Sequence, residues 1–157
     1  MALNKGKQFE LKFKEDFLKT VPGSTIDRLY DTTSGFRAVS NICDFIGYSF
    51  PNEFYLECKS ILGNTFPLIN LKQYDKLVQK VGIKGVRVGV IIWFIDHDKV
   101  VYVPISEVTK MKEDGKKSVN IKMLTDKSYN IIEIPSTKKR VFMDSDYSCL
   151  KNLKDGE

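Results

Sequence analysis

Asp44, Glu57 and Lys59 have the types and the spacing for chemistry on a phosphate. Glu57 and Lys59 stand two positions apart, so on an extended strand they share a face, and Leu56 and Cys58 point the other way. Asp44 lies in the preceding strand-like run, residues 41–48, and Ser49-Phe50-Pro51-Asn52 provides turn chemistry before the run 53–60. A hairpin centred between Phe50 and Pro51 sets Asp44 opposite Glu57, and directly paired residues share a face. Two carboxylates roughly 5 Å apart repel, and neither belongs inside a sheet without compensation. A divalent cation with oxygen ligands resolves that conflict. Mg²⁺ takes one or two protein carboxylates and keeps waters for substrate phosphate oxygens. In-line attack of water on phosphorus, with a cation and a lysine stabilising the developing charge, is phosphodiester hydrolysis. The same residues also fit an exposed hairpin with a cross-strand lysine–carboxylate pair, since acid-x-Lys is a common tripeptide.

The elements that must position these residues are readable around them. Phe9, Phe13 and Phe17 recur at helical spacing, with Leu18 beside them, which predicts an amphipathic helix over residues 4–20. Lys5, Lys7, Lys12 and Lys14 form its solvated side, Glu10 lies at the edge of the apolar stripe, and Pro22-Gly23-Ser24 stops it. Residues 28–37 read as a polar loop. Leu71, Tyr74, Leu77, Val78 and Val81 predict a second helix over 70–81, capped by Asn70 and ended by Gly82 and Gly85. Residues 86–94 and 99–103 form a second hairpin across Asp96-His97-Asp98. Both alternating sets of its first strand are apolar, so that strand is expected to be buried on both faces. A helical turn over 105–111 and weaker strands near 119–124 and 129–134 follow. The implied fold is α/β, a mixed sheet with helices packed on it in one domain of 157 residues.

Composition narrows the classes. Hydrophobic residues are 42% and charged residues 29%, near globular averages, which excludes wholesale disorder and a coiled coil. Lys and Arg total 25 against 20 acidic residues, a net charge of +5 that only weakly favours a polyanion partner. No apolar run is long enough for a bilayer, and the N-terminus lacks the apolar core of a signal peptide. Cys43, Cys58 and Cys149 lack metal-site spacing and read as reduced thiols of a cytoplasmic protein. In the hairpin, Cys43 and Cys58 would be packed neighbours on the face away from the carboxylates.

Asp44 followed thirteen positions later by Glu57-Cys58-Lys59 resembles the PD-(D/E)XK nuclease superfamily, and more narrowly the RecU-type Holliday junction resolvases. The resemblance includes Asp44-Phe45-Ile46-Gly47 before the second strand, Ser60 after the lysine, and Phe66-Pro67-Leu68-Ile69-Asn70 leading to Gln73. It runs from about Lys5 to about Val108, leaving the tail from Lys110 as an extension of unassigned role. It implies a restriction-endonuclease-like mixed β-sheet flanked by helices. Asp44 and Glu57 match metal-binding carboxylates, with Mg²⁺ as cofactor and Mn²⁺ able to substitute. Lys59 matches the lysine that orients the nucleophile or steadies transition-state charge. Gln73 resembles a glutamine near the active site, and Glu10 an outer metal or water ligand.

The resemblance implies a metal-dependent endodeoxyribonuclease that cuts branched double-stranded DNA, four-way junctions above all, by paired nicks from a homodimer. Bacterial members carry a long stalk before the catalytic hairpin. Residues 21–41 are too few for it, so the chain resembles compact phage-encoded members. A duplex endonuclease of the same superfamily, or an inactive DNA-binding protein of the same fold, are the alternatives. Candidate phosphate contacts are Lys5, Lys7, Thr32, Thr33, Ser34, Arg37, Lys138, Lys139 and Arg140, with Lys12, Lys14 and Arg28 beside them. His97 is the only histidine and reads as part of a turn.

Overall fold

The first helix, α1 (Lys5–Thr20), starts where Asn4 accepts the N–H of Lys7 and ends at Val21. The structure is a computed structural model that describes residues 4–31 and 40–157. The Phe9, Phe13 and Phe17 stripe is buried as its spacing requires. Phe13 meets Phe45 at 5.1 Å and Tyr147 edge-on at 4.9 Å, and Phe17 meets Phe54 edge-on at 5.6 Å. Each such ring contributes about 1.5–3 kcal/mol by leaving water, which ties α1 firmly to the sheet.

Six strands form that sheet: β1 (Ser24–Arg28), β2 (Phe45–Ser49), β3 (Asn52–Ile61), β5 (Val86–Phe94), β6 (Lys99–Pro104) and β8 (Ile132–Ile134), in the order β1-β2-β3-β5-β6-β8. Between β3 and β5 comes β4 (Thr65–Pro67), which pairs with β7 (Ser118–Asn120). Strands β3 and β5 run parallel, and the other pairs of the sheet are antiparallel. A parallel pair needs a crossover connection. Here β4, a 3-10 turn over Leu68–Asn70, α2 (Tyr74–Leu77) and a second 3-10 turn over Val78–Lys80 supply it. Two cores result. α1 covers one face with Phe45, Phe54, Leu56, Cys58, Ile91 and Trp93. Leu68, Leu71, Leu77 and α3 (Ile105–Glu113) cover the other, over Val88, Val90, Ile92 and Phe94. Strand β5 is thus buried on both faces, as its apolar run requires. The whole is the mixed α/β single domain with flanking helices that the sequence implies.

Several local readings change. The segment 70–81 is not one helix: a single α turn is flanked by 3-10 turns, and Asn70 ends the first of them instead of capping a helix. Val78 and Val81 are poor helix formers, and packing on the sheet decides the local winding. Residues 24–28 form an edge strand. Residues 119–124 split between β7 and a short helix, α4 (Met123–Asp126). The tail adds β9 (Ser136–Lys138) and β10 (Met143–Ser145), which pack on α1, where buried Asp16 accepts the N–H of Ser145 at 2.9 Å. The C-terminal end is also fastened: Arg87 donates to the carbonyl of Leu153 and pairs with Asp155 at 2.7 Å. No helix among the described residues is long and apolar enough to cross a membrane.

Candidate active site

The β2–β3 hairpin pairs Ser49 with Asn52 and Phe45 with Leu56, so its centre falls between Phe50 and Pro51. Extending that register by one residue sets Asp44 against Glu57, the juxtaposition expected from the turn. Asp44 precedes the first ladder residue of β2, and carboxylates take over the bonding there. The amide of Asp44 donates to Oε2 of Glu57 at 3.0 Å, and the amide of Cys58 donates to Oδ2 of Asp44 at 2.9 Å. Lys59 Nζ lies 2.9 Å from Oε1 of Glu57. Leu56 and Cys58 belong to the core beneath α1, so Glu57 and Lys59 take the opposite face by alternation. Glu57 is 1% exposed.

Cys43 departs from expectation. It lies before the regular strand, donates from Sγ to the carbonyl of Phe45 and packs in the second core, whereas Cys58 is in the first. The two thiols are on opposite faces and are not neighbours; both are free and buried. Burial pushes the Cys43 thiol up to about 12, with Glu57 adding to the shift.

Glu10, on the second turn of α1, reaches the same cluster through Arg28 at the end of β1. Arg28 lies 2.8 Å from Oε2 of Glu10 and 3.2 Å from Oδ1 of Asp44, and it also donates to the carbonyls of Leu29 and Asp44. Its guanidinium stacks over Phe45 and Tyr30 at 5.5 and 5.4 Å. Arg28 is therefore a member of the cluster, a role that sequence reasoning did not assign. It bridges two carboxylates eighteen and sixteen positions away, and only the fold brings them together.

Three carboxylates and two cations thus share one partly buried volume. Burial raises Glu57 most, and the charge of Asp44 adds to it, so that Glu57 is pushed up to about 7 although Lys59 opposes the shift. Burial also raises Glu10, with Asp44 adding and Arg28 opposing. Both shifts mark a site where one more positive charge is welcome.

Among the described residues no three His, Cys, Asp or Glu side chains converge as a ready-made metal cage. The donor set is two registered carboxylates, and every one of their oxygens already has a partner. Oδ2 of Asp44 and Oε2 of Glu57 are fixed by amides, while Oδ1 of Asp44 faces Arg28 and Oε1 of Glu57 faces Lys59. Hard oxygen donors, one or two carboxylates and room for waters are what Mg²⁺ asks of a protein. The residues fit such an ion at Asp44 and Glu57, where it would share with Arg28 and Lys59 the two oxygens that the amides leave.

Gln73 sits at the start of α2, on the sheet face that Glu57 and Lys59 occupy, and its Oε1 is buried with no hydrogen-bond partner among the described residues. Lys5 lines an open cleft with Lys59 and Ser60. Lys7 borders a second cleft with Glu10 and Arg28. Lys12 is engaged with Asp16 and Asp144 at 2.6 and 2.7 Å. Lys138 pairs with Asp98 and Lys139 with Asp144, while Arg140 is exposed at the tip of the β9–β10 hairpin. Thr32, Thr33, Ser34 and Arg37 lie outside the described residues. His97 is in a turn, as expected, with Nε2 2.6 Å from Oδ1 of Asn64.

The chain resembles known proteins both in sequence and in fold. The sequence matches the family RecU, described as Recombination protein U, over residues 19–141, which carries the likeness well into the tail. The fold is similar to that of Hjc from Archaeoglobus fulgidus, a Holliday junction resolvase from an archaeal hyperthermophile. Its TM-score is 0.52 at 17% identity, over 73% of this chain and 88% of that one. No curated protein sequence matches.

Proposed function

This chain belongs to the RecU family, and from that premise we propose that it is an endodeoxyribonuclease that resolves four-way DNA junctions. Asp44, Glu57 and Lys59 are its catalytic residues, and Glu10 and Gln73 support them. The observation that carries the reading is the registered Asp44–Glu57 pair with Lys59 bonded to Glu57. Asp44 and Glu57 would hold a divalent cation, Mg²⁺ with Mn²⁺ as substitute, with Glu10 as an outer ligand. When bound, the ion supplies Lewis-acid stabilisation of the phosphate and acidifies water.

The chain's own groups do the positioning. The amides of Asp44 and Cys58 fix one oxygen of each carboxylate, so the remaining oxygens point from a rigid ladder. Lys59 presents an ammonium group that hydrogen-bonds a phosphate oxygen or orients the attacking water, and it offsets charge in the transition state. Arg28 keeps Glu10 and Asp44 together against their repulsion. Lys5 and Lys7 on the first turns of α1, with Thr32, Thr33, Ser34 and Arg37, contact phosphates along the cut strand. Lys138, Lys139 and Arg140 at the β9–β10 tip extend the path. Cutting two strands symmetrically requires two coordinated sites, hence a homodimer. The cuts leave 5′-phosphate ends.

A supercoiled plasmid that extrudes a cruciform tests the paired cuts in the presence of Mg²⁺. Coordinated nicking gives linear plasmid as the first product. Nicked circles as the lasting product would contradict paired action, and equal cutting of plasmid without a cruciform would assign the chain to general duplex cleavage.

A further inference from the structure

Lys7, Leu11 and Lys14 lie on one stripe of α1, at the spacing that brings residues to a common helix face. That stripe runs along the flank of α1 beside the buried phenylalanines, and Leu11 interrupts its lysines and is 64% exposed. Tyr30, beyond the end of β1, is 76% exposed. A lone exposed apolar residue is ordinary. These two are not alone, because together with Phe45 they line a cleft of about 370 Å³ whose remaining walls are Lys7, Lys14, Glu10 and Arg28. That volume falls in the range of small-molecule sites.

The cleft continues into the catalytic cluster. Arg28 covers one side of the Tyr30 ring at 5.4 Å while its nitrogens hold Glu10 and Asp44. One residue therefore forms both the inner wall of the cleft and the rim of the carboxylates. The floor is aromatic and apolar, and lysines stand at both ends, roughly 10 Å apart along the helix axis. A flat apolar group flanked by two anions matches that arrangement. A nucleotide in a DNA strand has that form: a base with a π-face between two phosphates.

We infer that this cleft takes an unstacked nucleobase of the strand being cut, next to the scissile phosphate, with Tyr30 and Leu11 as its stacking surface and Lys7 and Lys14 on the flanking phosphates. The inference rests on the nuclease reading above and adds a source of selectivity. Extruding a base is costly in intact duplex and least costly where pairing is already broken. Continuous stacking is interrupted at a crossover, which lowers the cost of turning a base out there, so the cleft favours branched DNA without any stalk.

The test is binding in EDTA, read by fluorescence anisotropy, with four-way junctions that carry a single mismatch at successive positions around the cut. In parallel, 5-iododeoxyuridine at the same positions is photocrosslinked and the attached peptide identified. A mismatch at one position is expected to tighten binding several-fold, with crosslinking from that position to the peptide containing Tyr30. Tyr30→Ala is expected to lose about tenfold in junction affinity, the size of one base–aromatic stack. Tyr30→Phe is expected to restore it. Position-independent affinities, crosslinks confined to other peptides, and unchanged binding by Tyr30→Ala would overturn the cleft assignment while junction preference persists. Equal wild-type affinity for junction and linear duplex would instead overturn the reading on which it rests.

Discussion

The main-chain amide of Asp44 donates to Oε2 of Glu57 at 3.0 Å, so each residue of the proposed catalytic pair is held by the backbone of the hairpin that carries both. Asp44 returns the bond to the next residue, Cys58, at 2.9 Å. The carboxylates stand in for ladder bonds at the mouth of the hairpin. Their spacing is therefore fixed before any ligand arrives, which is the preorganisation that electrostatic catalysis requires.

Neutral isosteres keep this hydrogen bonding but lose the charge. Asp44→Asn and Glu57→Gln are expected to slow single-turnover cleavage of a junction by at least about 100-fold, the size of losing one preorganised charge-stabilising group. Junction affinity in EDTA is expected to change less than about threefold, under 0.7 kcal/mol. Cleavage within a few-fold of wild type would remove both residues from the chemistry.

Glu57 sets a pH dependence of stability. Its folded value, about 7, lies above the ordinary 4.5 because of burial and the charge of Asp44. Between those values the folded protein holds a proton that the unfolded chain has released. Stability is then fully present below about pH 4.5 and lost as pH rises through about 7, by at most about 3 kcal/mol. Urea unfolding in EDTA across this window should show the decline in wild type and a flatter profile in Glu57→Gln. Parallel profiles would contradict the assignment. Because ionised Glu57 is the form a cation binds, Mg²⁺ should raise the melting temperature more at the upper end of the window.

Arg28 is the cation between Glu10 and Asp44. Arg28→Met is expected to cost about 1–2 kcal/mol in EDTA, less than a fully buried pair because the partners are partly solvated. Mg²⁺ should then stabilise the variant more than wild type, since the ion relieves carboxylate repulsion that the guanidinium relieves otherwise. Thermal shifts with and without Mg²⁺ measure this, and equal increments in the two proteins would refute it.

Gly89 lies on β5, beside the strand that carries Glu57 and Lys59, where a Cβ would come within 2.2 Å of the Tyr102 ring. That ring is fully buried and cannot yield. Gly89→Ala is expected to destabilise by about 1–3 kcal/mol or more, the range for overpacking a core, with Tyr102→Leu restoring part of the loss in the double variant. Denaturant titration of the three proteins decides it.

The part of the site that lies in one hairpin was legible from sequence, because Pro51 and Asn52 mark the tip and counting outward from it pairs Asp44 with Glu57. Alternation then separated Glu57 and Lys59 from Leu56 and Cys58. Arg28 was not legible as a site residue. Its strand, Ser24–Arg28, buries only Ile26, so no period shows, and its partner Glu10 is found only through packing of α1. The helix over 70–81 failed for a related reason: apolar spacing was right, but the segment is wound turn by turn by contact with the sheet. Cys43 was misplaced because alternation does not continue past Asp44, where side chains replace the ladder. The short tail strands β9 and β10 lack enough residues to show any pattern.

The central claim is that Asp44, Glu57 and Lys59 form a metal-dependent centre that cuts branched DNA. End-labelled four-way junction and linear duplex of matching arm sequence, incubated with the purified protein and Mg²⁺ and resolved on a denaturing gel, test it directly. The account predicts symmetric nicks near the crossover of the junction, little cutting of the duplex, and no product with EDTA or with Asp44→Asn. Undiminished cutting by Asp44→Asn, or no cutting of the junction by wild type under Mg²⁺ or Mn²⁺, would contradict it.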